Sequence, residues 1–170
     1  MQKTEKIIGA IIAILLISRL LFYFPFFNTG ILLLSSILSC IYFALSFALL
    51  NNIRLRNIFK NESYKDISIL RMIGVVCTGI VLSIVITYSL FKFMIWPMGN
   101  EGLILGLITI FIPLVIVTVK LIITKSKFYT FLLIRLLIFT IIGSVLYFTP
   151  SETIEELKNT SLLENINTEQ

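Results

Sequence analysis

Apolar residues in this chain do not alternate with polar ones; they run on almost without interruption at residues 7–23, 30–50, 72–91, 103–123 and 128–148. Alternation would point to strands, and a β-barrel is disfavoured for that reason. Continuous runs of about 20 residues point instead to helices long enough to cross a hydrocarbon core of about 30 Å. The polar punctuation is partly repeated. Residues 24–33 read FPFFNTGILL and residues 96–105 read WPMGNEGLIL, so an aromatic residue, Pro, Asn and Gly recur at one fixed offset. Pro97 cannot continue a helical ladder and Gly102 tolerates the backbone angles of a corner, so each copy predicts a tight turn between two helices.

The pattern therefore predicts an all-α integral membrane protein with five transmembrane helices. Two parallel-repeat hairpins, at 1–50 and 72–123, are followed by a single helix at 128–148. Residues 51–71, NNIRLRNIFKNESYKDISILR, form a basic loop between the hairpins, and residues 149–170 form an acidic tail. The tail opens on TPSETIEELK, where Thr149 suits a helix cap, Pro150 a first turn and Glu152 a capping box, before a solvated, fraying end. No small-residue cleavage site follows the first apolar run, which predicts an uncleaved anchor.

Composition sharpens this picture. At 58% hydrophobic residues and a mean hydropathy of +1.02, the chain lies outside the range of ordinary soluble domains. Its net charge of +5 does not imply nucleic acid as a partner, because the basic residues are scattered over short loops. Their distribution predicts topology. Lys3, Lys6, Arg54, Arg56, Lys60, Lys65, Arg71, Lys120, Lys125 and Lys127 fall on one side, and Lys92 and Lys158 on the other, ten against two. The expected place is an inner (cytoplasmic) membrane, and by the positive-inside rule the N-terminus is expected to be cytoplasmic and the tail external.

Between helices in lipid, small residues mark the places where backbones can approach. Ser36, Cys40, Ala44 and Ala48 form such a ridge, Gly79, Ser83 and Thr87 a second, and Gly102 with Gly106 a third. Pro113 should kink its helix. The expected partners are the lipid bilayer and another membrane protein or a second copy of the chain. Cys40 and Cys77, both inside apolar runs, are expected to behave as small hydrophobes.

Arg19 and Arg135 are the charges set well inside apolar runs, where ionisable residues are costly and mark candidate sites. Each is expected to snorkel to lipid phosphates or to bind a carboxylate or other anion. Lys92 and Trp96 are expected to anchor the outer interface. The chain has no His, and no Asp or Glu falls inside the five runs, so no catalytic, metal or cofactor site and no proton-driven element is expected. The function expected is noncatalytic, working through helix–helix or envelope-partner contacts. The alternative is a small transporter or channel, suggested by the repeated hairpins and the proline-interrupted helix.

Phe91, Lys92, Trp96, Pro97, Asn100, Gly106 and Leu107 resemble the helical hairpin of GldL, the inner-membrane motor subunit of bacterial gliding motility and type IX secretion. That family has an aromatic-Lys-x-x-His-Trp-Pro-Gly-Ala corner between two transmembrane helices. The resemblance covers residues 75–120, with a fainter echo over 6–50. Ile95 stands in place of the family's His, Met98 and Gly99 in place of its Gly-Ala, and Ile110 where it has a membrane carboxylate. The resemblance implies an accessory place in a motility or secretion complex, without the motor's ion coupling.

Overall fold

The computed structural model describes residues 2–21, 25–65 and 67–156, and among these there are helices and turns but no strand. Five long helices follow one another: α1 (Gln2–Leu21), α2 (Pro25–Leu50), α3 (Ile69–Met94), α4 (Gly99–Thr124) and α5 (Lys127–Phe148). The middle three have 26 residues each, about 39 Å at 1.5 Å per residue. Four segments are long and apolar enough to cross a membrane: Phe26–Leu50, Ile69–Met94, Gly99–Thr124 and Lys127–Phe148. The expected fifth span, α1, is not among them. Every 18-residue stretch of it carries at least three of Lys3, Glu5, Lys6 and Arg19.

Local chemistry sets the helix ends. Pro25 opens α2, where its missing N–H is no loss, so the corner expected at 25–30 is already helix. The Ser68 hydroxyl accepts from the Arg71 N–H (3.3 Å) to cap α3. At the far end the Trp96 N–H reaches the Phe91 carbonyl (2.9 Å) and the Ile95 N–H that of Lys92 (3.1 Å), a Schellman closure. Ile95 takes the left-handed position at φ 62°, which is strained for a β-branched residue. No described glycine has positive φ. The glycines of the repeated corner therefore serve packing.

That packing centres on α3, which lies between α2 and α4 and also meets α5. Because lipid is as apolar as a leucine side chain, helices gain from dispersion and polar contacts at short range. A methyl group on Gly79 would come within 2.7 Å of the Tyr42 carbonyl oxygen, and one on Gly102 would run into the Tyr88 ring. Gly106 sits 3.1 Å from Val85 and Gly143 of α5 3.1 Å from Leu107, both measured from where a Cβ would stand. Gly102 is thus inside α4, contrary to its expected place in the turn. Its counterpart in the repeat, Gly30, receives Leu15 of α1 at 3.2 Å, so both repeated glycines admit a side chain from the first helix of their hairpin.

The ridge expected on α2 is turned differently. Ser36, Cys40 and Ala44 are exposed and Ala48 is buried. A strict four-residue spacing advances about 400° per step and so drifts about 40° each time around the helix. Over three steps the stripe passes from one face to another. The face turned to α3 keeps phase by alternating steps of three and four: Ser35, Ser39, Tyr42, Ser46 and Leu49, all buried. There the Ser39 hydroxyl lies 2.8 Å from those of both Ser83 and Thr87.

α4 continues through Pro113 as helix. Beyond α5 the Thr149 hydroxyl donates back to the Val145 carbonyl (2.7 Å), closing α5 instead of capping the next helical turn. Residues 151–156 are helical and bury Ile154. The expectations for the rest of the acidic tail, Lys158 included, lie outside the described residues.

Gly79→Ala should lower stability by about 1 to 3 kcal/mol, as overpacking does. Gly9 of α1 has nothing within 4 Å of a Cβ, so Gly9→Ala should gain about 0.5 to 1 kcal/mol from helix propensity. Thermal unfolding in detergent separates the two, and equal shifts would reject the α2–α3 contact.

Candidate functional site

The charges expected to snorkel are partnered inside the protein. Arg135 lies eight residues into α5, about 12 Å from its start, and Tyr42 eight residues before the end of α2. Glu5 is 16 residues before the end of α1 and Tyr42 is 17 after the start of α2, so the antiparallel pair brings them level. α1 is shorter than α2, and its first turn stops beside the interior of α2. The carboxylate that the apolar runs exclude is therefore delivered from just before the first run.

Glu5 Oε1 accepts from Arg135 Nε (2.8 Å) and Oε2 from Arg135 Nη2 (2.6 Å), a bidentate pair of the strong kind. The Tyr42 hydroxyl donates to Oε1 as well, and its ring meets Phe139 edge-on at 5.6 Å. The Glu5 and Arg135 side chains are 12 and 14% exposed respectively, and Tyr42 is fully buried. Three helices are tied together by one carboxylate. α1 packs along α2, and this network carries its link to α5.

The other two cations are also held. Arg19, 2% exposed, donates from Nε to Asn28 Oδ1 at 3.0 Å across the first corner. Lys92, 4% exposed, donates to the Ser151 hydroxyl at 3.0 Å. Lys92 is accordingly not a snorkelling anchor, because the turn after α5 covers it. Trp96 remains 43% exposed and packs edge-on against Phe91 at 5.1 Å. Of the expected contact residues, Gly79, Ser83, Gly102 and Gly106 lie between helices, whereas Ser36, Cys40 and Ala44 line an open groove of about 500 Å³ along α2. Both cysteines are free.

Glu5, Tyr42, Asn28 and Ser151 were not signalled by hydropathy. Counting residues back and forward from the first corner would have paired Glu5 with Tyr42, because antiparallel neighbours stay level. Among the described residues no group of His, Cys, Asp and Glu could hold a metal ion. With both its oxygens taken by donors, the Glu5 carboxylate is a strut between helices. The chain matches no protein-family model, no curated protein and no solved structure. The described residues are all helix and turn, and four helices long and apolar enough to cross a membrane mark a multi-pass type of membrane protein.

The strut should be strongly coupled. Removing one partner of a buried pair costs about 3 to 5 kcal/mol, since the other charge is stranded. Glu5→Leu and Arg135→Leu should each lower stability by that order, and the double variant should recover most of the loss. Additive losses in a double-mutant cycle would reject the pairing.

Proposed function

We propose that the protein is a five-span inner-membrane protein, N-terminus inside and tail outside, that works without catalysis by holding another membrane component through helix contacts. The observation that carries this reading is the outward face of α2. On α4 the exposed positions are mostly bulky, such as Phe111, Ile112 and Ile116. On α2 the exposed Ser36, Cys40 and Ala44 are small and leave a groove. Exposure of apolar surface means little in lipid; a trough that lets a second backbone approach is the informative feature.

α1 is counted as a span because its 20 residues cover about 30 Å. Pairing of Glu5 and Arg19 within the protein lowers the cost of their insertion, and the exposed Lys3 and Lys6 can extend towards the inner interface. The likeness of residues 91–107 to the GldL corner suggests an envelope complex of the motility or secretion kind as the setting. The occupant of the groove is then a transmembrane helix of that complex or of a second copy.

A photo-crosslinker at Ser36 in intact membranes should yield one adduct of defined mass, and Ala44→Leu should reduce it severalfold while leaving thermal unfolding in detergent unchanged. No adduct, or one indifferent to Ala44→Leu, would reject the groove as the contact. Reporters fused after Gln170 and inserted near Asn61 should read external and cytoplasmic respectively. A second reading, a small transporter, is favoured by a cavity of about 530 Å³ among α3, α4 and α5, and solute flux into liposomes above that of empty vesicles would put it first.

A further inference from the structure

Gly102, Gly106 and Gly143 draw α3, α4 and α5 together towards the ends at Met94, Gly99 and Phe148. Towards the opposite ends no described glycine makes such a contact among these three helices, and between them lies the cavity of about 530 Å³. That size falls in the range of about 300 to 1,000 Å³ typical of small-molecule sites. Its deep walls are apolar, including Val75, Val81, Val117 and Leu132. Its rim carries Arg71 and Lys120, one near the start of α3 and the other in the last turns of α4, at similar depth. At its side the wall residues Ile112 and Ile116 are exposed, 62 and 56%, so it opens laterally to lipid.

Two details set this cavity apart from an imperfect fit. The Arg71 guanidinium lies over the Phe128 ring, 3.7 Å from the centroid, and its Nε is buried with no acceptor among the described residues. A buried guanidinium N–H without an acceptor is costly and calls for an anion. Gly74, in the wall, has nothing within 4 Å of the position a Cβ would take. Space is kept open there by the residue with the lowest helix propensity after proline.

We propose that this cavity binds one anionic phospholipid, its phosphate on Arg71 and Lys120 and one acyl chain between α3, α4 and α5. Water is disfavoured by the apolar depth, and a free inorganic anion would leave that depth empty. A zwitterionic lipid matches the walls but not the two cations. Basic pockets between transmembrane helices are known sites for anionic headgroups. The inference rests on membrane insertion alone; it needs neither the orientation nor the partner contact proposed above.

The test is native mass spectrometry of the full chain released from nanodiscs made of phosphatidylcholine and phosphatidylglycerol in equal parts. One phosphatidylglycerol should remain on the wild type. Arg71→Ala and Lys120→Ala should each weaken retention about fivefold, the contribution of one basic residue at an anionic surface. Gly74→Phe should abolish retention while circular dichroism and the melting temperature stay at or above wild type, which keeps the outcome separate from misfolding. Retention of no lipid, equal retention of both lipids, or phosphatidylglycerol surviving Gly74→Phe would each overturn the proposal, as would preferential retention of added free fatty acid. A chain that fails to enter nanodiscs would overturn the membrane reading and this inference with it, whereas one that enters and retains no lipid would overturn this inference alone.

Discussion

A guanidinium two turns inside an apolar helix must find an anion within the protein or drag water and headgroups towards itself. Arg135 finds Glu5, and much of the arrangement stems from that pairing. It requires the first turn of α1 to stop level with the interior of α2. It places Tyr42 beneath the carboxylate, with Phe139 against its ring. It also brings α5 back towards the N-terminal hairpin, although α5 packs on α3 and α4. Arg19 and Lys92 each meet a short neutral polar side chain from a neighbouring segment.

Close approach through missing side chains is the second constraint, and it acts unevenly. Where Gly102, Gly106 and Gly143 stand, three helices meet; where they are absent, the same helices leave space. Gly79 does for α2 and α3 what Gly102 does for α3 and α4. The hydroxyls of Ser39, Ser83 and Thr87 then add direct bonds across the α2–α3 seam, each worth a modest amount in lipid. Dispersion and a few polar contacts thus replace the hydrophobic drive of a soluble core.

The long helices were legible because unbroken apolar runs leave few alternatives, and four of them have the length and composition of spans. Their ends were less so. Lys92 reads as the polar end of a run, yet α3 extends to Met94, and Ser151 covers the ammonium from 59 residues away. Glu5 lies outside the first apolar run, although the run's helix begins at Gln2. Hydropathy reports what a residue prefers on average, and cannot register a partner 130 residues distant. The small residues of α2 were identified but not their direction, because a four-residue spacing drifts around the helix while the true seam alternates threes and fours. The cavity among α3, α4 and α5 had no linear signal; Gly74 reads like any other small residue until its surroundings are known.

The separation of Glu5 from Arg135 has a consequence for biosynthesis. A ribosome adding about 5 to 20 residues per second needs roughly 7 to 26 s to pass through the 130 residues between them. Throughout that interval α1 exists without its counter-charge. Until α5 emerges, the Tyr42 hydroxyl is the partner available to the Glu5 carboxylate. The tie between α1 and α5 is therefore among the last contacts that synthesis makes possible.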